Sequence, residues 1–97
     1  MFAQVNSVQT TTDKLDALVK WVEDQLPAFR EAASGFKGLY LLADRQSGKV
    51  MTISLWDSVD DLRQNNEARG AQVREEASSE TGIAPTPVDI YEVVLQA

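Results

Sequence analysis

Residues 2 to 10 mingle Phe2, Val5, Val8 and Thr10 with Gln4, Asn6 and Gln9, a mixture rich in β-branched and aromatic types that predicts a first strand. Beyond it the period changes. Leu15, Leu18, Val19, Val22, Leu26 and Phe29 recur at steps of three and four, the stripe of an amphipathic helix, and Trp21 widens or flanks it. Thr11 or Thr12 is placed to accept a hydrogen bond from a first-turn amide, and Asp13 puts negative charge where the helix dipole favours it. Pro27 lies inside the stripe, where it lacks a backbone donor and crowds the preceding turn. A kink or restart near Gln25 or Leu26 is expected, with the helix ending by about Ser34.

Gly35-Phe36-Lys37-Gly38 reads as a short linker, and Leu39 to Asp44 as a second strand. Arg45 to Lys49 is a turn of hairpin length, so a third strand from Val50 to Trp56 should pair antiparallel with the second. Asp57 or Ser58 then caps a second helix, and Ser58-Val59-Asp60-Asp61 fits a capping box with the shorter acid. That helix is expected from Val59 towards Ser78 on few apolar anchors, Leu62, Ala68, Val73 and Ala77, with Gly70 weakening its continuity. Residues 78 to 87 are irregular, and Val88 to Leu95 reads as the final strand.

Strand, helix, strand, strand, helix, strand is the split order of a ferredoxin-like α+β domain, an antiparallel four-stranded sheet with two helices on one face. One domain spans residues 1–97. In the third strand Met51, Ile53 and Leu55 point one way and Val50, Thr52, Ser54 and Trp56 the other, so both faces carry apolar residues. A wet face would alternate with charge, and the pattern therefore predicts a homodimer through the open sheet face.

Composition narrows the chemistry. Nine Lys plus Arg against fifteen Asp plus Glu give a net charge of -6, which disfavours nucleic acid as a partner. With no Cys and no His, disulfides, thiolate nucleophiles, Ser-His triads and Cys- or His-ligated metals are excluded. The acids show no spacing that demands a metal. No stretch approaches a membrane span, and the first ten residues lack a basic start and apolar run, so a cytoplasmic protein is expected.

The element order, the link Gly35-Phe36-Lys37-Gly38-Leu39-Tyr40, and Ile53-Ser54-Leu55-Trp56-Asp57-Ser58 followed by Asp60-Asp61-Leu62 resemble the dimeric α/β-barrel proteins of the antibiotic-biosynthesis-monooxygenase type. The likeness covers nearly the whole chain in layout, while its local motif is short. It implies two ferredoxin-like subunits packed sheet to sheet, each with its own pocket between sheet and helices. Some members oxygenate polycyclic phenols or quinols without metal or flavin, others degrade haem, and many have no established activity. In the haem-degrading branch an Asn on the first strand, a Trp ending the third and a His on the second helix form the site. Asn6 and Trp56 stand at the first two positions, but the third falls near Asn66, so the usual iron ligand is absent. Tyr40 or Tyr91 could offer a phenolate, although nothing in their spacing calls for it.

The resemblance to the cofactor-free branch implies no cofactor, a small organic ligand, and a pocket that helps form the substrate anion and excludes water. Asn6, Trp56 and Asn66 are the principal catalytic candidates, with Trp21, Tyr40 and Arg69 as substrate-binding candidates: amides can donate to an oxyanion, rings can stack on a flat molecule, and a cation can lower its pKa. Each has a plainer reading. Trp56 can be a core aromatic ending a strand, Trp21 a half-buried stripe residue, and one of Asn65 and Asn66 must be solvated because adjacent helical residues diverge by about 100°. Asn6 is unusual in a strand and needs partners for its amide if buried. Two functions therefore stand: a cofactor-independent monooxygenase for a planar aromatic or quinol-like substrate, or a non-catalytic ligand-binding or assembly protein of the same fold. An open cavity ending at Asn6 or Asn66 favours the first, and a space plugged by Phe36, Tyr40, Trp21 and Trp56 the second.

Overall fold

A computed structural model describes residues 1–67 and 88–97. Its elements are β1 (Phe2–Gln9), α1 (Thr12–Ala32), β2 (Phe36–Asp44), β3 (Lys49–Trp56), α2 (Val59–Asn65) and β4 (Asp89–Glu92). The strands form one antiparallel sheet in the order β2-β3-β1-β4, the ferredoxin-like arrangement. Both helices lie on the face that carries Trp56, where Phe29 of α1 and Leu62 of α2 meet it. The expected continuation of the second helix through Ala68, Gly70, Val73 and Ala77 to Ser78 lies outside the described residues.

The α1 stripe is the predicted one. Leu15 is fully buried, and Leu18, Val19, Trp21, Val22, Leu26 and Phe29 are half-buried along the same side. The helix does not restart at Pro27; it runs unbroken to Ala32, held by that buried side while Pro27 faces water. Nor does a threonine hydroxyl cap it. Thr11 is the capping residue by backbone conformation, its carbonyl accepting from Leu15 N–H at 2.9 Å, but its side chain makes no cap bond. At α2 the expected cap forms: Ser58 Oγ accepts from Asp61 N–H at 3.1 Å and donates to Asp61 Oδ2 at 3.0 Å.

Two boundaries differ from expectation. The stretch read as a linker, Gly35–Gly38, is largely strand: Phe36 pairs opposite Trp56, and an irregularity between Phe36 and Gly38 absorbs the extra residue. The last strand stops at Glu92 rather than Leu95: its ladder with β1 runs from Asp89 opposite Val5 to Glu92 opposite Phe2. One further bond, Val93 N–H to Met1 O at 2.9 Å, ends the ladder, and Leu95 is left 86% exposed.

Two glycines take positive φ where the chain reverses. Gly35, at 76°, presents its carbonyl to Asp57 N–H at 2.8 Å and leaves no room for a Cβ beside the Asp61 carboxylate. Gly48, at 77°, closes the β2–β3 hairpin by donating its N–H to the Asp44 carbonyl at 2.8 Å, and its own carbonyl accepts from Thr10 N–H at 2.8 Å, tying the end of β1 to the turn.

Candidate functional site

Register decides what each face of the sheet presents. On the helix-covered face β1 contributes Phe2, Gln4, Asn6 and Val8, which stand opposite Trp56, Ser54, Thr52 and Val50 of β3. The two ends of this double row are apolar. At one end Trp56, 1% exposed, packs with Ala33 and Leu62 and with the rings of Phe2, Phe29 and Phe36. At the other end Val50 is buried.

Between those ends the row turns polar: Gln4 faces Ser54 across the strands, and Asn6 faces Thr52. Four polar residues in the middle of a face that two helices cover are not what a simple core requires, since each buried amide or hydroxyl needs a partner. Ser54 has one, accepting the indole N–H of Trp56 at 3.0 Å. Gln4 Oε1 is shut off from solvent and has none. Asn65 Oδ1, on α2, is in the same condition.

The predicted site residues divide accordingly. Asn6 is half-buried in the polar strip, and Asn66, half-buried, directly follows α2. Trp56 lies at the apolar end of the strip with its ring face taken: the Phe29 and Phe36 centroids are 6.0 and 5.4 Å away, both edge-on, and its N–H is spent on Ser54. Trp21 is half-buried on α1. Tyr40 departs from the expected pocket. It pairs opposite Ile53 on the open face and is 59% exposed, so it lines no space between sheet and helices. Tyr91, opposite Ala3, is on that open face too, which removes both phenols as ligands for a haem held under the helices. Arg69 lies outside the described residues.

Sequence reasoning missed Gln4, Thr52 and Asn65. A signal for Gln4 was present, since it shares a face with Asn6 by the two-residue period of a strand. Asn65 follows Leu62 by three residues and so shares its inward side. Among the described residues no group of three acidic side chains could hold a metal ion, and no helix is long and apolar enough to cross a membrane.

Known proteins fit this architecture. The family model described as antibiotic biosynthesis monooxygenase matches residues 1–77, and the chain belongs to that family. No curated protein matches the chain. Among solved structures, a mutant of MhuD with two manganese protoporphyrin IX molecules per active site is 16% identical, with a TM-score of 0.78 over 100% of this chain and 98% of that one. The monooxygenase from the gene ActVA-Orf6 of Streptomyces coelicolor, in complex with nanaomycin D, is 20% identical, with a TM-score of 0.72 over 99% and 92% of the two chains. A mutant of SnoaB, a cofactor-independent oxygenase from Streptomyces nogalater, is 17% identical, with a TM-score of 0.71 over 98% and 94%. At these identities the likeness concerns the fold.

Proposed function

We propose that the protein binds a small planar organic molecule between the helix-covered face of the sheet and the two helices, and oxygenates a quinol-like aromatic without a cofactor. The observation that carries this reading is the polar strip of Gln4, Asn6, Thr52 and Ser54 between two apolar ends of one covered face. Apolar walls suit a flat ring, and amides and hydroxyls suit its oxygens. ActVA-Orf6, a monooxygenase with nanaomycin D bound, and the cofactor-independent oxygenase SnoaB have the same fold and support this reading.

In this chemistry the substrate supplies the electrons. Loss of a ring-associated proton gives an anion that adds to dioxygen, and loss of water from the resulting hydroperoxide leaves a carbonyl; one oxygen atom enters the product and the other leaves as water. The strip contains no strong base, so its contribution is to stabilise the anion: the Asn6 amide N–H and the Thr52 hydroxyl donate to a developing oxyanion. Haem chemistry does not fit these residues, since the chain has no His and both tyrosines named as ligands face the other way.

A homodimer through the open sheet face belongs to the same reading. Val5, Met51, Ile53, Leu55, Tyr40 and Tyr91 share that face, and a second copy would bring an identical patch to it. The reading also includes a cytoplasmic location, which fractionation of expressing cells tests. Non-catalytic ligand binding is the second reading, favoured by the saturated packing of Trp56, which leaves its ring no face for a substrate.

Native mass spectrometry and oxygen uptake separate the two. Twice the chain mass with a retained organic molecule, and uptake with a naphthoquinol that falls by about a hundredfold in Asn6→Ala while the fold is kept, is the expected result. Retention of a ligand with no oxygen uptake selects the binding protein, and a bare monomer removes the dimer.

A further inference from the structure

The two orphaned amide oxygens carry an inference that rests on the proposed pocket and sharpens it. Gln4 Oε1 and Asn65 Oδ1 are closed to solvent and lack a hydrogen-bond partner among the described residues, although they belong to elements far apart in sequence. Both belong to the layer between sheet and helices. Gln4 is on the helix-covered face opposite Ser54, and α2 packs against both β1 and β3. Within α2, Asn65 is three residues past the fully buried Leu62 and therefore on the same inward side. An unpaired buried acceptor is costly to leave unmade, so two of them in one layer call for a donor that the described residues do not supply.

We propose that Gln4 and Asn65 are specificity-determining residues whose side-chain oxygens together receive a hydroxyl or N–H group of the bound molecule. Neither is a base, and neither transfers a proton; their work is to select a ligand by its donor and to fix how deep it sits over the strip. A site built to accept a hydrogen bond rejects the analogue lacking the donor, because that analogue leaves the oxygens as unpaired as before. A flat hydroxylated aromatic therefore binds, and its methyl ether, which has the same ring but only an acceptor, does not.

Isothermal titration calorimetry with naphthol and methoxynaphthalene tests this on the wild-type protein and on Gln4→Met and Asn65→Leu, which keep side-chain length or bulk while removing the amide. Naphthol is expected to bind the wild type about tenfold or more tighter than the ether, a difference of about 1.4 kcal/mol. In either variant the preference should shrink to about twofold, chiefly by loss of naphthol affinity, while the thermal midpoint holds or rises because an orphaned polar group has gone. The two variants sit on different elements, so misfolding of one, seen by circular dichroism, leaves the other to decide. Equal binding of both probes by the wild type, or a preference kept intact in a folded variant, overturns the assignment of Gln4 and Asn65 but leaves the pocket standing. Binding of neither probe at millimolar concentration overturns the pocket itself, and this inference with it.

Discussion

Gly48 shows how much one residue can fix. Its φ of 77° is a conformation that costs other L-residues about 1–2 kcal/mol, and a Cβ there would overlap the Thr10 carbonyl oxygen. That oxygen is backbone and cannot swing aside. Gly48→Ala is therefore expected to cost about 2 kcal/mol or more, read as a lower urea midpoint, and to loosen the β1 end that Gly48 ties through Thr10. In the same turn Asp44 Oδ1 accepts from Gln46 N–H at 3.0 Å and from Ser47 N–H at 3.4 Å. The Gln46 N–H above all, then the Ser47 hydroxyl and N–H, hold its carboxyl below its ordinary value of 3.8. These groups favour the charged form, so the stabilisation is complete above that ordinary value and fades as pH falls through the lowered one. Asp44→Asn should accordingly lower the thermal midpoint at neutral pH and converge with the wild type in strong acid, and a gap that stayed constant with pH would refute the assignment.

Among the elements, α1 meets the sharpest conflict between local and tertiary preference. Pro27 removes the N–H that would bond Glu23 and crowds the turn before it, yet Leu26 and Phe29 on either side stay turned inward and the helix continues to Ala32. Burial along its inward side wins. Pro27→Ala, at an exposed position, is expected to raise stability by up to about 3 kcal/mol, which a thermal melt reads directly. The α1 stripe and the Ser58 cap were legible because each rests on residues close in sequence. What sequence could not show depended on partners. The extent of the last strand is set by its pairing with β1, which ends at Glu92 opposite Phe2, and Gly35–Gly38 is pulled into the sheet by the pairing of Phe36 with Trp56. The irregularity between Phe36 and Gly38 has a further effect, since an inserted residue exchanges the two faces of everything after it. Tyr40 was thereby misplaced, whereas Asn6 was not, as β1 pairs with β3 without interruption. The strip itself became visible only when β1 and β3 were set side by side.

At the scale of the whole molecule the open face poses the remaining physical demand. Tyr40 and Tyr91, 59% and 56% exposed, stand on opposite sides of Val5, Met51, Ile53 and Leu55, so apolar surface extends across all four strands. Covering it with a second copy would release the water held against it, at about 25 cal/mol for each square ångström buried. Charge opposes this, because each copy carries -6. The repulsion acts at long range and is screened by salt, whereas the contact itself is apolar. Added salt should therefore tighten the dimer, the reverse of what an interface held by ion pairs would show. Tyr40→Asp puts a carboxylate into the patch on both copies at once, and sedimentation is expected to find that variant monomeric at concentrations where the wild type is a dimer. Its thermal midpoint should also lose the rise with protein concentration that mass action gives a dimer. If the wild type sediments as a monomer with a concentration-independent midpoint, the face is wet and the apolar pattern of β3 has some other cause. If Tyr40→Asp remains dimeric, the copies meet elsewhere. The proposed site under the helices is independent of either outcome, because the strip of Gln4, Asn6, Thr52 and Ser54 lies on the other side of the sheet.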